Sequence, residues 1–428
     1  MRLMNHPKQY IWQHPGWPAL TASSPEVSPF LIKAHQRHGE LVGKMKAIGL
    51  HFSAISQDVL VNTVMATSAI EGESLNQESV RSSVMKKLGL SDGLESAVSR
   101  HVDGLVEITQ DAFDGHAAVL DEDRLLRWHS ALFPGGISGI RRISVGCYRE
   151  HVDAMQIVSG NLGKEVVHYT APPSHQVKAE MDIFLKWFAR SAPAATEEAP
   201  KIMDGIVRAA VAHLWFETIH PFEDGNGRIG RAIMDLALAQ ALGPSSSLYS
   251  LSSQLLKHRR AYYDMLNQAQ CGGLDVSGWV IWFCENFSAA VLSTSLSIDN
   301  SIKIASFWRE HDNHTVNPRQ KKVLQKLLSM GDGGFVGGLS AEKYMRMTSV
   351  SKATATRDLG QLFEQGFMFS VGQGKATRYY VNVLGWNHGV TDESKIIKTK
   401  IVDNHDLNQF LDHELSNIQN VLDYLKDK

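Results

Sequence analysis

Twelve consecutive residues concentrate the side chains that could do chemistry in this chain. They read His220-Pro-Phe-Glu-Asp-Gly-Asn-Gly-Arg-Ile-Gly-Arg231. The histidine is a candidate general base. The glycine-rich stretch of residues 225–227 allows a tight turn whose backbone N–H groups face one anion. Asp224, directly before that turn, is a hard oxygen ligand of the kind that Mg²⁺ prefers.

Two arginines complete the segment. Arg228 and Arg231 are three residues apart, so on a helix they share a face and offer two guanidinium groups to phosphate. The N-terminus of that helix would add free amides and the positive end of its dipole. Together these residue types predict phosphate-directed transfer from a magnesium-bound nucleotide. Taken singly, each also has a structural interpretation: a core histidine, a turn, a helix cap or a solvated helix face.

The flanking sequence predicts two helices that position this segment. Apolar residues recur at helical spacing from residue 206 to residue 215, and Pro221 disfavours continuation of that helix through His220. Residues 228–242 predict a second helix, which Gly243-Pro244 ends. The imidazole is therefore expected at the mouth of a helix–turn–helix.

The segment matches the motif His-x-Phe-x-(Asp/Glu)-Gly-Asn-Gly-Arg-x-x-Arg of the Fic family at every defined position. Fic enzymes typically transfer AMP from ATP to a protein hydroxyl. The resemblance implies roles for the whole motif: general base His220, Mg²⁺ ligand Asp224, anion hole Gly225, Asn226 and Gly227, outer-phosphate ligands Arg228 and Arg231, and an inward-packed Phe222. A kinase-like branch of the family has Lys at the position of Gly227, so this glycine favours nucleotidyl transfer.

A second motif lies far upstream. Thr67-Ser-Ala-Ile-Glu71-Gly72 ends a predicted helix over residues 58–70 and fully matches the inhibitory (Ser/Thr)-x-x-x-Glu-(Gly/Asn) motif of Fic proteins. Without the resemblance, Glu71 would be an exposed carboxylate at a helix end. The resemblance implies that Glu71 pairs with Arg231, blocks the γ-phosphate and misaligns ATP. Removing the carboxylate would free the arginine for phosphate.

Residues 135–173 interrupt the helical pattern. Strand-like segments at 155–158 and 165–169 flank a hairpin signal at 160–163. In Fic proteins this place holds a flap whose edge pairs with the target protein as an added strand. By this resemblance, four residues are expected against ATP: Val167, His168, Tyr169 and Thr170. His168 could alternatively be an ordinary cross-strand residue.

The family resemblance also implies roles for residues in two further segments. A helical pattern over residues 95–132 includes His129, which is expected to make structural hydrogen bonds. A predicted helix over residues 251–266 carries Tyr262 and Tyr263. By resemblance, one of these tyrosines stacks beside the nucleotide base while the other lies in the core.

A second module is predicted from residue 317. Helices over 319–328, 339–347 and 352–364, followed by strands at 367–371 and 377–381, resemble a winged helix. Residues 317–381 contain ten Lys and Arg against four Asp and Glu, a net charge of +6. Candidate DNA contacts are Lys352, Thr354, Thr356, Arg357, Lys375 and Arg378. The alternative is a winged helix used for protein contacts or dimerisation.

Composition bounds the remaining possibilities. The chain has 428 residues, 43% of them hydrophobic, and a net charge of −2, which is ordinary for a soluble globular protein. Its three cysteines contain no Cys-x-x-Cys pair, which argues against a thiolate zinc site and indicates a reducing compartment. Because no apolar stretch reaches about 18 residues, we expect a cytoplasmic protein without membrane contact.

The predicted fold is mainly α: an all-helical Fic core with a β-hairpin flap, plus a C-terminal winged helix-turn-helix domain. Residues 1–115 are expected to form an N-terminal arm and helices carrying the inhibitory motif, and residues 116–290 the catalytic core. Residues 300–381 would form the winged-helix module. Residues 382–428 would form a linker and a C-terminal helix over 407–425.

The predicted function is an autoinhibited protein adenylyltransferase that uses ATP and Mg²⁺ to modify a Ser, Thr or Tyr hydroxyl of a target protein or of itself. With Glu71 positioning water, the same pocket could instead remove AMP from a modified protein. A hypothesis of a different class is a DNA-binding regulator whose winged helix is controlled by nucleotide. The target and the oligomeric state stay open, although a homodimer would suit such a switch.

Overall fold

The computed structural model describes residues 9–48, 53–88, 100–159, 166–193, 203–390 and 396–397. The chain divides into two compact units, Met1–Ser295 and Leu296–Lys428. Helices dominate the described residues and the strands are short, which confirms the predicted mainly α fold. The predicted turn at 160–163 and the predicted helix over 407–425 lie outside the described residues. So do residues 194–199 of the Pro-, Ala- and Glu-containing segment 191–199, whose composition predicts a linker.

The first unit begins with helices that precede the site. A short 3-10 helix (Ile11–Gln13) is followed by α1 (Ser24–Ala47), α2 (Ser53–Ile70), α3 (Gln77–Lys87), α4 (Arg100–Asp114) and α5 (Glu122–Leu132). The helical pattern over residues 95–132 thus forms two helices in its described part. The break has a local cause, because the Asp121 side chain caps α5 by accepting a hydrogen bond from Arg124 N at 2.8 Å.

Two small hairpins follow α5. Strands β1 (Ile137–Ser138) and β2 (Arg141–Arg142) form the first, and β3 (Gln156–Ser159) and β4 (Val166–Thr170) form the second. Both pairs are antiparallel, and the register of the second shifts between Ile157 and Val158. The flap hairpin that the sequence predicts is therefore present.

The centre of the first unit is the pair α7 and α8. The remaining helices are α6 (Ser174–Arg190), α7 (Gly205–Ile219), α8 (Asn226–Leu242), α9 (Leu251–Lys257), α10 (Arg259–Gln270) and α11 (Ser277–Glu310), with a 3-10 helix at Gly243–Leu248. α7 is apolar on almost every side and is buried along its length, as expected of a central helix. The single helix predicted over 251–266 is two helices, which meet at His258.

The described part of the second unit contains the C-terminal part of α11, three further α-helices, a short 3-10 helix (Gly374–Ala376) and a small sheet. Its elements after α11 are α12 (Pro318–Ser329), α13 (Ala341–Thr348), α14 (Lys352–Glu364), β5 (Met368–Val371), β6 (Arg378–Val381) and β7 (Ile396–Ile397). Asn317, Ser340 and Ser351 cap the three helices with side-chain hydrogen bonds. β5 pairs with β6, as predicted, and also with β7, a strand that the sequence did not reveal.

None of the helices in the described part of the chain combines the length and apolar character that a membrane crossing requires.

Candidate active site

The loop between α7 and α8 carries the candidate base and the candidate metal ligand. α7 ends at Ile219, and His220 takes a left-handed conformation with φ 50°. Gly225, with φ 85°, precedes α8, and a glycine adopts this conformation freely. Asn226 and Gly227 form the first turn of α8. The predicted tight turn is thus shorter than expected, and the helix starts two residues earlier than residue 228.

Phe222 and Asn226 hold this loop in place. The Asn226 side chain accepts a hydrogen bond from Phe222 N at 2.9 Å and donates to Phe222 O at 2.8 Å. The Phe222 ring is fully buried and stacks on His129, with ring centroids 4.1 Å apart. Phe222 therefore packs inward, as the family resemblance implies.

His129 makes structural hydrogen bonds. Its Nδ1 accepts from Gly146 N at 3.1 Å, and its Nε2 lies 3.2 Å from Asp224 O. Burial lowers the pKa of His129 to about 4. A neutral imidazole with one donor and one acceptor matches these two backbone partners.

The His220 side chain is largely buried. It is 13% exposed, and its Nδ1 lies 3.7 Å from Glu217 Oε2. Burial, assisted by the charge of Arg149, lowers the pKa of His220 to about 4. Burial raises the pKa of Glu217 to about 8. At neutral pH the imidazole is therefore unprotonated and able to accept a proton.

Asp224 is half-exposed at the mouth of the loop. Its Oδ1 accepts from Gly225 N at 2.5 Å, and its Oδ2 accepts from the Ser138 hydroxyl on β1. No cluster of three or more potential metal-ligating side chains occurs among the residues that the structure describes. A single carboxylate fits Mg²⁺, which commonly binds one or two carboxylates together with substrate phosphates.

Arg231 is held by the upstream motif. Its side chain is 1% exposed, and its Nη2 donates to Glu71 Oε1 at 2.7 Å. Its Nε donates to Thr67 Oγ1 at 2.7 Å and its Nη2 to Thr67 O at 3.0 Å. Although burial opposes the charge, the neighbouring Glu71 carboxylate raises the pKa of Arg231. Glu71 and Arg231 thus form the ion pair that the sequence predicts.

Glu71 also lies directly against Gly227, in the stretch 225–227 that was predicted to form the anion hole. A Cβ placed on Gly227 would overlap Glu71 Oε1 and would stand 3.3 Å from Arg231 Nη1. Only glycine leaves room for the carboxylate here. Gly72, with φ 84°, lets the chain turn immediately after Glu71.

Arg228 contacts the carboxylate of Glu73, which the sequence analysis did not single out. Its Nη1 lies 3.4 Å from Glu73 Oε2, and its guanidinium lies 5.1 Å above the Phe133 ring. Glu73 Oε1 in turn lies 2.8 Å from His101 Nε2. The other ring nitrogen of His101, Nδ1, lies 2.9 Å from Leu132 O. The available signal was a carboxylate two residues beyond Glu71.

A cleft lies between the loop that joins α7 to α8 and the hairpin of β3 and β4. Its lining among the described residues is Glu71, Met155, Gln156, Ile157, His220, Glu223, Asp224, Gly225, Asn226 and Gly227. The flap contribution comes from β3 and the residue before it, and the four predicted β4 residues are not in this lining: Val167, His168, Tyr169 and Thr170.

Two of those β4 residues face the N-terminal arm. Tyr169 is 1% exposed and its hydroxyl donates to Thr218 O at 2.6 Å, so its side chain is buried against α7 and does not line the cleft. Thr170 O accepts from Trp12 Nε1 at 2.8 Å. Because successive side chains of a strand point to opposite faces, a position in the flap does not tell which face a residue occupies.

The two candidate tyrosines occupy different environments. Tyr262 is 1% exposed, and its hydroxyl lies 2.8 Å from His213 Nε2, so Tyr262 is the core member of the pair. Of the two, Tyr263 is left as the candidate for stacking beside the nucleotide base. Tyr263 is half-buried, and its hydroxyl donates to Ile70 O at 3.2 Å, beside Glu71.

The candidate DNA contacts of the second unit lie on α14 and in the β5–β6 hairpin. Four of them are exposed: Lys352, Thr356, Arg357 and Lys375. Thr354 and Arg378 are half-buried, and Arg378 Nη1 donates to Thr377 O at 2.8 Å. The exposed members leave their charged or polar ends at the surface.

Two family models match the chain. Residues 10–90 match DUF4172, a domain of unknown function, and residues 119–238 match the Fic/DOC family. The second match covers α5, the two hairpins, α6, α7 and most of α8. It therefore contains the loop that carries His220 and Asp224.

Curated relatives carry the name protein adenylyltransferase. A protein adenylyltransferase Fic of Nematostella vectensis is 30% identical over 109 residues, which is 26% of this chain and 22% of the relative. A probable protein adenylyltransferase of Aquifex aeolicus is 26% identical over 108 residues, 25% of this chain and 28% of the relative. The chain thus spans less than a third of the length of either relative.

Solved structures with some likeness to this chain include two Fic proteins. A Fic family protein from Desulfovibrio desulfuricans has a TM-score of 0.49 at 21% identity, covering 85% of this chain and 98% of that one. Fic-1 from C. elegans has a TM-score of 0.47 at 18% identity, covering 65% and 74%. Taken with the complete motif at residues 220–231, the family match shows that residues 119–238 of this chain form a Fic/DOC domain.

Proposed function

We propose that the protein transfers AMP from ATP to a hydroxyl group of a protein, and that Glu71 holds this activity in check. One observation carries the proposal. A single cleft brings together the neutral imidazole of His220, the carboxylate of Asp224 and the N-terminus of α8, with Glu71 across it on Arg231. The names of the curated relatives support the same class of reaction.

The N-terminus of α8 provides the phosphate site. Ile229 N donates to Gly225 O, which is the first hydrogen bond of the helix, so the amides of residues 226–228 have no partner within it. These amides and the helix dipole favour an anion. Arg228 and Arg231 follow on the same helix and would hold the outer phosphates.

His220 performs the proton transfer in this proposal. It takes the proton of a Ser, Thr or Tyr hydroxyl while that oxygen forms a bond to the α-phosphorus of ATP. The bond from the α-phosphorus to the bridging oxygen breaks, and pyrophosphate leaves. Asp224 would hold Mg²⁺, which neutralises charge on the departing pyrophosphate when it is bound.

Glu71 opposes this reaction by occupying Arg231. The carboxylate accepts a charge-assisted hydrogen bond from a buried guanidinium that Thr67 also fixes. A γ-phosphate needs the same guanidinium and the space that Glu71 Oε1 takes above Gly227. ATP can therefore bind productively only after Glu71 moves.

The same position of Glu71 favours a second candidate activity. Glu71 and His220 line one cleft, so Glu71 could direct a water molecule at an AMP group already attached to a protein. The enzyme would then remove AMP. Release of AMP from a modified protein by the wild-type chain, lost in Glu71→Gly, would identify this direction.

We further propose that the target segment docks on β3. The lining of the cleft includes Met155, Gln156 and Ile157. On β4, Trp12 Nε1 already donates to Thr170 O, and Cys271 Sγ lies 3.9 Å from His168 O. A strand added along β3 would bring a target hydroxyl towards His220.

The basic surface of the second unit supports DNA binding as an additional function. Lys352, Arg357 and Lys375 are exposed on α14 and on the β5–β6 hairpin. If this unit acts as a winged helix, α14 is the helix that would enter the major groove. The alternative is that the same surface contacts a protein or a second copy of the chain.

The deciding experiment uses ATP labelled on its α-phosphate. Glu71→Gly should raise labelling of the protein itself and of targets in a cell lysate, and Glu71→Gly/His220→Ala should abolish that gain. Mass spectrometry of the labelled proteins should find an added adenylate on a hydroxyl residue. Equal labelling by the double variant would refute the proposed role of His220, and a different added group would refute AMP transfer.

A further inference from the structure

The backbone of His220 needs an external support. Its φ of 50° and ψ of 61° lie in the left-handed region, which residues other than glycine adopt uncommonly and which neighbouring contacts can stabilise. His220 also follows directly on the last turn of α7, and Pro221 follows it. The imidazole therefore has a fixed position only if the carbonyl groups of this short segment are held.

Arg149 supplies that support. Its Nε donates to His220 O at 2.8 Å and its Nη2 to Ile219 O at 3.3 Å. Its own backbone N–H donates to Pro221 O at 2.9 Å. One residue thus binds the carbonyl oxygens of three consecutive residues, with the candidate base at the centre.

The other end of the Arg149 guanidinium reaches the segment after the flap. Nη2 also donates to Pro172 O at 2.6 Å, and Nη1 donates to the Ser174 hydroxyl at 2.9 Å. Pro172 lies two residues beyond β4, and Ser174 begins α6. Arg149 therefore connects the loop of the candidate base to the base of the flap.

Arg149 is a buried cation whose hydrogen bonds go to carbonyl and hydroxyl oxygens. It is 1% exposed, and it forms no ion pair with a carboxylate among the described residues. Burial lowers the pKa of Arg149 to about 10, so the side chain is still charged at neutral pH. The oxygens that satisfy this charge belong to the His220 segment and to the segment after β4, so the hydrogen bonds of Arg149 join these two segments.

We propose that Arg149 is a positioning residue that holds His220 in the orientation needed to take the proton of the attacking hydroxyl. This inference rests on the proposed transfer reaction. Besides burial, the charge of Arg149 lowers the pKa of His220, whereas a hydrogen bond to the Glu217 backbone and the carboxylates of Glu71 and Asp224 raise it. Loss of that charge should make His220 easier to protonate.

Arg208 provides a matched control. It is fully buried, its Nε donates to the Ser191 hydroxyl at 2.9 Å, and its Nη2 donates to Phe188 O at 2.7 Å. Burial lowers its pKa to about 10, as for Arg149. It lies near the start of α7, three turns before His220. A merely structural arginine should behave like Arg208.

The first test compares transfer rates in the Glu71→Gly background. Arg149→Lys keeps the charge but loses most of the donors, so kcat should fall by about 10- to 100-fold. The Kd of ATP, measured by calorimetry, should change less than about twofold. Arg208→Lys should leave kcat per folded molecule nearly unchanged. Equal losses of kcat for the two lysine variants would overturn the inference.

The second test needs no transfer activity. NMR of ¹³C-labelled histidine follows the titration of His220, whose signal among 19 histidines is identified by its absence in His220→Ala. In Arg149→Met the pKa of His220 should rise from about 4, and in Arg208→Met it should stay. If the pKa of His220 is unchanged in Arg149→Met, the proposed effect of the Arg149 charge on His220 is refuted. If no variant transfers AMP but the titration shifts, the proposed function fails, while the electrostatic influence of Arg149 on His220 is still demonstrated.

Discussion

Both arginines of the motif contact carboxylates from one turn after α2. Glu71 holds Arg231 at 2.7 Å, and Glu73 lies 3.4 Å from Arg228. Gly72 separates the two glutamates. If the outer phosphates of ATP bind both guanidinium groups, as we propose, this turn competes with the nucleotide at two positions rather than one.

Glu73→Gln should strengthen ATP binding. The Glu73 side chain is 37% exposed, so its ion pair with Arg228 is weak, and its loss should lower the Kd of ATP by about two- to fivefold. The Kd of AMP, which lacks the outer phosphates, should not change. Calorimetry measures both values, and Glu107→Gln, which removes the partner of Lys87, is the control. Weaker ATP binding would mean that Glu73 orients Arg228 instead of occupying it.

His101 should make stability depend on pH. The contact with Glu73 raises the pKa of His101 above 6.5 and lowers the pKa of Glu73. A raised histidine pKa stabilises the fold below the unfolded-state value near 6.5, and this contribution disappears as pH rises through the folded-state value. The free energy of unfolding of wild type, relative to His101→Gln, should therefore be largest at about pH 6 and shrink towards pH 8.5. Denaturant titrations at several pH values check this, and a constant difference would contradict it.

Single residues were predictable where a motif tied residue type to position. The motif leads to His220 and Asp224, and the upstream motif leads to Glu71. Glu73, His101 and Arg149 were missed because their contacts join segments far apart in the chain, and no local pattern marks such pairs. Arg149 in particular binds carbonyl oxygens, which every residue carries.

At the level of helices, α4 and α5 pack with their backbones in unusually close approach. A Cβ on Gly104 of α4 would overlap the backbone carbonyl of Ala131 in α5. α4 also packs against α2 and α8, and it carries His101. The position of the Glu73–His101 contact thus depends on how closely these helices approach.

Gly104→Ala should destabilise the first unit. The added methyl group overlaps the backbone of α5, so the helices must separate, which should reduce the free energy of unfolding by about 1–3 kcal/mol. Gly39 lies in α1, and the position that an added methyl carbon would take there has no neighbouring atom within 4 Å, so Gly39→Ala is the matched control. That change should stabilise by about 0.5–1 kcal/mol. Thermal unfolding of the two variants measures the difference. Similar free energies of unfolding for Gly104→Ala and Gly39→Ala would show that α4 can move away from α5 at little cost.

Amphipathic helices were predictable because their apolar residues recur at a regular spacing, as Val323, Leu324, Leu327 and Leu328 do in α12. The orientation of the flap was not. The sequence predicts both strands, yet β3 lines the cleft while Tyr169 of β4 is buried away from it. A one-residue change of register exchanges the two faces of a strand, and a short flap contains too few apolar residues to fix the register from sequence.

For the whole chain, the second unit offers a separately testable surface. If it binds DNA, the full-length protein should bind a duplex more weakly as salt increases, because phosphate contacts release counterions. Arg357→Ala should weaken binding and reduce the slope of log affinity against log salt by about one. Lys326→Ala removes an exposed charge of α12 outside the candidate surface and serves as the control. Electrophoretic shifts measure this, and absence of any shift at low salt would exclude DNA as the ligand.

The contacts of the upstream segments have a practical consequence for dissecting the protein. An expression fragment limited to residues 119–238 would strip Thr67 and Glu71 from Arg231, and Tyr10 from the ring of Tyr169, which it meets edge-on at 5.1 Å. If such a fragment were strongly labelled with AMP, the labelling would reflect the loss of these contacts and not the activity of the whole chain. Truncations intended to preserve these contacts should therefore start before Tyr10.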